Sequence, residues 1–436
     1  MKKITIIGTG YVGLVSGAGL AEFGHEVTCL DINEEKISKL NDGLIPIYEP
    51  GLKKLVSKNV KDKRLVFSSN INLIIQQSRI IFIAVGTPQG KNGKADLTAV
   101  KQVVKKIIDN LNSYKIISTK STVPVGTGEW INNEISKKHS NNKFDYVSNP
   151  EFLREGSAVN DFLYPDRVIV GASSERAFNE MREVYRPLFI NKTPVMEFSV
   201  STAEMIKYAA NSFLALKISF INEIANLCEA VGADVHGVAS GMGKDGRISP
   251  KFLHPGPGFG GSCFPKDIEA LFALGNEKNV KLNTISATIN TNNAQKKRML
   301  KKLLKLIGNE VEGKKIAVLG LSFKPNTDDI RESPSQFLIS NLINLKAQIN
   351  SYDPIANSNF KELYPDINYF ENWKDCVRGA DACIIMTEWN EFRGIDLEEL
   401  KLLLKTPILL DAKNIFSIEK LKSLEFKYDN VGRNFS

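Results

Sequence analysis

Lys3-Ile4-Thr5-Ile6-Ile7-Gly8-Thr9-Gly10-Tyr11-Val12-Gly13 decides the fold of this chain. A short apolar run enters a turn with three glycines. A helical pattern then runs to Phe23, and Gly24 ends it. Glu26-Val27-Thr28-Cys29-Leu30-Asp31 reads as a second strand. Together these form a strand–helix–strand unit of about 30 residues, the setting that a dinucleotide fingerprint requires. Gly8 permits the tight turn, Gly10 lets a pyrophosphate approach the backbone, and Gly13 lets the helix pack closely on the strand. A helix-packing turn would account for Gly13 but not for all three glycines.

The helix N-terminus offers free N–H donors and positive potential to a phosphate. Asp31 lies 18 residues after Gly13. A carboxylate there accepts ribose hydroxyls and repels a 2′-phosphate, so NAD is expected rather than NADP.

Further strand-like runs follow at Ile80 to Val85, Lys115 to Ser118 and Tyr146 to Ser148, with helical stretches between them. That alternation implies a parallel, doubly wound sheet. The pattern changes near residue 200. Ser201-Thr202-Ala203-Glu204 has the form of a capping box, and a helical pattern then reaches about Val231, where Gly232 stops it. Its apolar positions exceed a single stripe, which predicts burial on two sides, as in a central spine or a subunit interface. One more helical region is expected over about 266 to 308.

The third segment starts at Gly313. Lys315 to Gly320 repeats the buried strand, Gln348 to Asp353 ends in an acid as Glu26 to Asp31 does, and Asp381 to Thr387 echoes Ser78 to Thr87. The second and third glycines are missing after Gly320, so a related fold binding a different nucleotide is expected. The predicted fold is α/β: two Rossmann-like, doubly wound parallel-sheet domains joined by a central helical domain with a long spine helix. Its boundaries are 1–199, 200–308 and 309–436.

Composition narrows the function. The 436 residues are 42% hydrophobic and 24% charged, with a formal net charge of +8. The lysines are dispersed as a solvated basic surface that also suits an anionic substrate. No basic stripe interleaved with aromatics points to nucleic acid, and no apolar run reaches about 18 residues, so no membrane span is expected. Ile4 to Gly8 is too short an apolar run for a secretory leader. The five cysteines (Cys29, Cys228, Cys263, Cys376 and Cys383) are odd in number and widely spaced, without a CxxC. This argues against disulfides or zinc and for a reducing, cytoplasmic setting. The histidines lack metal-ligand spacing, and no metal is expected.

Gly260-Gly261-Ser262-Cys263-Phe264-Pro265-Lys266-Asp267 carries the chemistry. A lone cysteine is more often a small core hydrophobe than a nucleophile. Here the preceding Pro255-Gly256-Pro257-Gly258-Phe259 excludes an element interior, and Lys266 and Asp267 can tune a thiol or position water. Cys29, Cys228 and Cys383 lie in apolar elements and read as core. Lys207 and Asn211 stand four apart on the long, mostly apolar helix, where they can hold an oxyanion or a substrate hydroxyl. Glu151 and Glu155 would share a face if their segment were helical, and could equally be solvated. Gly86-Thr87-Pro88 and Ser121-Thr122-Val123-Pro124 follow strands at carboxyl ends, where open α/β sheets bind ligands, though alone they are ordinary loop signals.

Taken together, the glycine fingerprint, Lys120-Ser121-Thr122-Val123-Pro124, Asn149-Pro150-Glu151-Phe152-Leu153, Gly260-Gly261-Ser262-Cys263 and the run from Phe323 to Ser333 resemble the UDP-glucose/GDP-mannose dehydrogenase family over nearly the whole chain. Ser262 to Asp267, with Phe323 to Asp329, resembles its branch acting on UDP-glucose. The resemblance implies a four-electron oxidation of UDP-glucose at C6 to UDP-glucuronate, using two NAD⁺ per substrate. Cys263 would carry a thiohemiacetal and then a thioester. Lys207 and Asn211 would serve as oxyanion donors, Asp267 and Thr122 would hold water or move protons, and Glu151 would act in the final hydrolysis. The implied cofactor residues are Gly8, Gly10, Tyr11, Val12, Gly13, Asp31 and Lys36 at the fingerprint. To these it adds Gly86, Thr87, Pro88, Ser121 and Thr122 at the strand ends, and Glu155, Lys266 and Arg331 farther on. Implied substrate contacts are Glu151, Phe152, Leu153, Lys207, Asn211, Phe252, Leu253, Gly260, Phe323 and Lys324. Arg247 resembles an arginine that reaches the neighbouring subunit's site, which implies a homodimer through the central helix. Lys413 departs from the pattern, because relatives often carry arginine there and a point charge replaces a bidentate fork. Three alternatives remain at this level: the same chemistry on GDP-mannose or a UDP-N-acetylhexosamine, a two-electron oxidation that stops at the aldehyde, and a non-catalytic NAD-binding sensor.

Overall fold

The computed structural model describes residues 1–140 and 142–434. They cluster into two compact units, Met1–Ala210 and Asn211 onward, divided inside the long helix.

The first unit is built on β1 (Lys3–Ile7), β2 (Glu26–Leu30), β3 (Leu65–Ser68), β4 (Ile80–Ile83), β5 (Lys115–Thr119), β6 (Phe144–Ser148), β7 (Val168–Gly171) and β8 (Val195–Phe198). Their order in the sheet is β3-β2-β1-β4-β5-β6-β7-β8. The apolar runs stay in register across the centre, where Ile6 of β1 lies between Cys29 of β2 and Phe82 of β4. Residues alternate between two cores: Ile80 and Phe82 join one, Ile81 and Ile83 the other. Both faces are therefore covered, as continuous apolar strands demand. The parallel-sheet expectation holds, with one added detail at an edge. There β7 meets β6 antiparallel at Ser148 and Gly171, so β7 and β8 run reversed. The strand order reverses between β1 and β4, the point where such sheets bind nucleotides.

The second unit carries β9 (Lys315–Leu319), β10 (Gln348–Tyr352), β11 (Asn368–Tyr369), β12 (Ala382–Ile385), β13 (Ile408–Asp411) and β14 (Lys427–Asp429). All its pairings are parallel, in the order β11-β10-β9-β12-β13-β14. The reversal falls between β9 and β12, so this sheet repeats the arrangement around β1 and β4. The repeat diverges at the turn. In the first unit the Tyr11–Glu22 helix follows β1 within four residues, whereas after β9 the next helix is Pro334–Asn344. Asp353, the counterpart of Asp31, is buried and accepts from Leu321 N–H, Ser322 N–H, Ser322 Oγ and Trp389 Nε1. A carboxylate so occupied has no capacity left for a ribose.

The long helix runs Val200–Val231, ending where Gly232 takes a positive φ of 76°. The expected capping box does not form. Ser199 Oγ accepts the Thr202 N–H instead, and Glu204 is drawn away to Gly126 and Gly128. Within the single chain, one of the two expected sides is buried, through Ala215, Ile221 and Ala225, while Phe213, Phe220 and Leu227, spaced by seven, are 60%, 42% and 57% exposed. The helical region expected over 266–308 is two helices, Phe264–Glu277 and Asn283–Ile307. Among the described residues no helix is long and apolar enough to cross a membrane.

Candidate active site

The fingerprint turn closes only around glycine. Gly8 has φ +105°, and a Cβ there would lie 2.6 Å from the Ala84 carbonyl oxygen. A Cβ on Gly13 would lie 1.9 Å from the Gly8 oxygen. At Gly10, by contrast, a Cβ would meet nothing within 4 Å, so the backbone is open where a pyrophosphate would approach. The first turn of the helix carries no acidic side chain. At the end of β2, Asp31 accepts from Thr9 N–H at 3.0 Å, Thr9 Oγ1 at 2.6 Å and Asn33 N–H at 3.1 Å, and pairs with Lys36 at 3.4 Å. Burial works against its charge, but the bonds from Thr9 and Asn33 and the Lys36 ammonium hold the carboxyl below the usual range. These residues fit a nicotinamide dinucleotide. Thr87 Oγ1 donates to the Thr122 carbonyl at 2.8 Å and Ser121 Oγ to that of Val85 at 2.7 Å, tying together the loops after β4 and β5.

Sequence reasoning missed Glu49, which is buried and accepts from the Tyr11 hydroxyl and, at 2.7 Å, from Gly156 N–H. It joins the fingerprint to the segment bearing Glu155. Its sequence signal is a glutamate before Pro50-Gly51, which reads as a solvated turn.

Glu151 and Glu155 do not share a helix face, because residues 151–154 are not helical. Pro150 and the end of β6 turn the chain, and Glu151 bends back. Its carboxylate takes the Lys207 ammonium at 3.0 Å, and Lys207 also donates to the Glu151 carbonyl at 2.7 Å. The two side chains are 3% and 5% exposed, so each charge depends on the other. Phe152 lies under the Arg167 guanidinium at 3.7 Å, and Leu153 packs against the first core.

In the second unit Asn211 is one turn beyond Lys207 on the same helix. Its Nδ2 donates to Asp267 Oδ2 at 2.7 Å, and Lys266 pairs with the other oxygen. Asp267 lies in the first turn of the Phe264–Glu277 helix, and its N–H donates to the Cys263 carbonyl at 3.0 Å. Cys263 is the N-cap residue of that helix, where positive potential favours a thiolate. It is partly exposed, whereas the other four cysteines are buried. Burial pushes the Cys29 thiol up to about 12, far from a nucleophile's range.

The loop before Cys263 is fixed by buried amides that the sequence reading did not single out. Asn292 exchanges two hydrogen bonds with the Phe259 backbone, at 2.8 and 3.1 Å. Asn222 accepts the Gly256 N–H and Gln295 donates to the Gly256 carbonyl, both at 2.8 Å. Phe259 closes a small core with Ala215 and Ile268. A Cβ on Gly260 would lie 2.3 Å from the Glu332 oxygen, and one on Gly261 2.7 Å from the Phe323 ring. The glycines thus let the loop press against the segment bearing Phe323 and Lys324. Leu253 is buried beside this loop, and Phe252 holds a left-handed φ of 66° with its ring 6.1 Å from that of Phe264. Such strain in a bulky residue points to function. Lys413 pairs with Glu388 at 2.7 Å. Arg247 and Arg331 project outward, 91% and 63% exposed, on Asp245 and Asp329 respectively.

Three models of one family match in succession: the NAD binding domain of the UDP-glucose/GDP-mannose dehydrogenase family over residues 2–189, its central domain over 201–294, and its UDP binding domain over 317–418. The chain is 48% identical over 435 residues to UDP-glucose 6-dehydrogenase TuaD of Bacillus subtilis (strain 168), covering 99% of this chain and 94% of that protein. It is 46% identical over 434 residues to UDP-glucose 6-dehydrogenase of Rhizobium meliloti (strain 1021), covering 99% of each. Among solved structures, a UDP-glucose dehydrogenase from Pyrobaculum islandicum superposes with a TM-score of 0.93 at 33% identity, covering 100% of this chain and 98% of that one.

Proposed function

The chain belongs to the UDP-glucose/GDP-mannose dehydrogenase family, and we propose that it oxidises UDP-glucose at C6 to UDP-glucuronate through a covalent intermediate on Cys263. The observation that carries the mechanism is the placement of Cys263: a partly exposed thiol at a helix N-terminus, one turn before an aspartate bonded to Asn211.

Bound at the Gly8–Gly13 turn, NAD⁺ supplies the hydride acceptor, and the loss of four electrons consumes two molecules per sugar. The Cys263 thiolate adds to the C6 aldehyde and holds that carbon as a thiohemiacetal. The oxidised form is a thioester, which water cleaves to the carboxylate and the free thiol. Lys207 and Asn211 donate to the oxygen on C6, whose negative charge grows in each tetrahedral state. Asp267, with Thr122, orients water and passes protons, and Glu151 takes the proton from water in the final hydrolysis. The UDP moiety belongs to the second sheet's domain, with Phe252, Leu253, Gly260, Phe323 and Lys324 as its contacts. Glu155, Lys266 and Arg331 complete the cofactor set.

The apolar row of Phe213, Phe220 and Leu227 supports a homodimer through the central region 200–308, and the exposure of Arg247, whose pair with Asp245 is open to solvent, supports its serving the partner's site. That none of the five cysteines is in a disulfide supports a reducing, cytoplasmic setting.

UDP-glucose is favoured over other sugar nucleotides because curated relatives at 41–48% identity carry that activity in their names, whereas a UDP-D-ManNAc dehydrogenase from Pyrococcus horikoshii is 25% identical. Assaying NADH formation with UDP-glucose, UDP-galactose, GDP-mannose and UDP-N-acetylmannosamine tests this. UDP-glucose should lead by at least about tenfold in kcat/KM. Preferential turnover of any other sugar nucleotide would reject the assignment.

A further inference from the structure

Lys120 follows β5 and is 4% exposed. Its ammonium donates to Asn149 Oδ1 at 3.1 Å and to the Tyr185 hydroxyl at 3.3 Å. Tyr185 in turn donates to the same Asn149 oxygen at 2.6 Å, and Asn149 Nδ2 donates to the Ile169 carbonyl at 2.7 Å. The rings of Phe82, Phe162 and Tyr185 surround the nitrogen at 5.9 to 6.0 Å. A buried ammonium held by neutral acceptors is costly, and an apolar residue would fill the site more cheaply. The charges acting on it are the Glu151 carboxylate and the Lys207 ammonium.

Asn149 is two residues before Glu151, and Pro150 between them removes a backbone donor and stiffens the link. An anchor on Asn149 therefore fixes where Glu151 meets Lys207. We propose that protonated Lys120 is a positioning residue for the oxidation: through Asn149 it aims Glu151 at Lys207, and its charge maintains that buried pair. This rests on the reading of Glu151 and Lys207 given above.

Burial pushes the Lys120 amine down to about 8. Burial also pushes the Tyr185 hydroxyl up, so it stays protonated throughout. Raising the pH through about 8 thus neutralises Lys120 and weakens the anchor, and kcat falls.

Lys120→Gln, which keeps a donor but no charge, and Lys120→Met, which keeps neither, test this on the full-length enzyme with UDP-glucose. Both should bind NAD⁺ within about threefold of the parent. Each should lose about tenfold or more in kcat, Met more than Gln. Both should lack the alkaline fall near pH 8. A purely structural lysine would leave that limb in place. Parent-like kcat, or an unmoved alkaline limb in Lys120→Gln, overturns the proposal. Failure of the parent to oxidise UDP-glucose instead overturns the assignment of function. Should neither variant fold, Tyr185→Phe decides. Removing one acceptor from the ammonium must shift the alkaline limb to lower pH, and an unshifted limb rejects the idea.

Discussion

Asn211 Nδ2 donates to Asp267 Oδ2 at 2.7 Å, and Asp267 N–H donates to the Cys263 carbonyl at 3.0 Å. One hydrogen bond thus couples the proposed oxyanion donor to the helix that presents the thiol. An aspartate 1% exposed and shared between an amide and the Lys266 ammonium is fixed in orientation. Asn211→Ala should lower kcat by about 10²–10³, the usual loss for one oxyanion donor. KM for UDP-glucose should change much less, and initial-rate kinetics separate the two.

Cys263→Ser keeps the shape of the N-cap and removes the thiolate. The variant should bind NAD⁺ and UDP-glucose with near-parental affinity in calorimetry while UDP-glucuronate production falls by at least about 10³. Production near the parental rate would mean that the sulfur is structural.

Asp31→Ala removes the carboxylate that Thr9 and Asn33 hold ionised and leaves Lys36 beside the ribose position. KM for NAD⁺ should rise about tenfold, and discrimination against NADP⁺ should narrow. Parallel kinetics with the two coenzymes check this, and an unchanged ratio would remove Asp31 from the ribose site.

Phe213 and Leu227 stand on the exposed apolar row of the long helix. Phe213→Asp combined with Leu227→Asp would place two charges in the proposed dimer contact, at a cost of several kcal/mol. Light scattering should show a dimer for the parent and a monomer for the variant. A dimeric variant would move the interface elsewhere.

What the sequence disclosed was local. The Gly8, Gly10 and Gly13 turn and the span of the long helix depend on neighbours a few residues away, so their patterns survive in one dimension. The missed features depend on distant partners. Glu204 looks like part of its own helix's cap, yet its carboxylate binds Gly126 and Gly128, more than 70 residues upstream. Asn292 and Gln295 look like a solvated helix face until the backbone of residues 256–259 arrives. Glu151 and Glu155 suggested a helical pair because their spacing fits one, but Pro150 and the Lys207 ammonium draw the segment into an irregular turn. The last two strands of the sheet, β7 and β8, four residues each, are too short to announce their direction.

The central claim is that one sulfur carries a sugar carbon through two successive oxidations. The ratio of NADH formed to UDP-glucose consumed, taken to completion with limiting sugar nucleotide, tests it most directly. A ratio of two, with all carbon recovered as UDP-glucuronate, is the predicted result. A ratio of one, with free aldehyde accumulating, would contradict it.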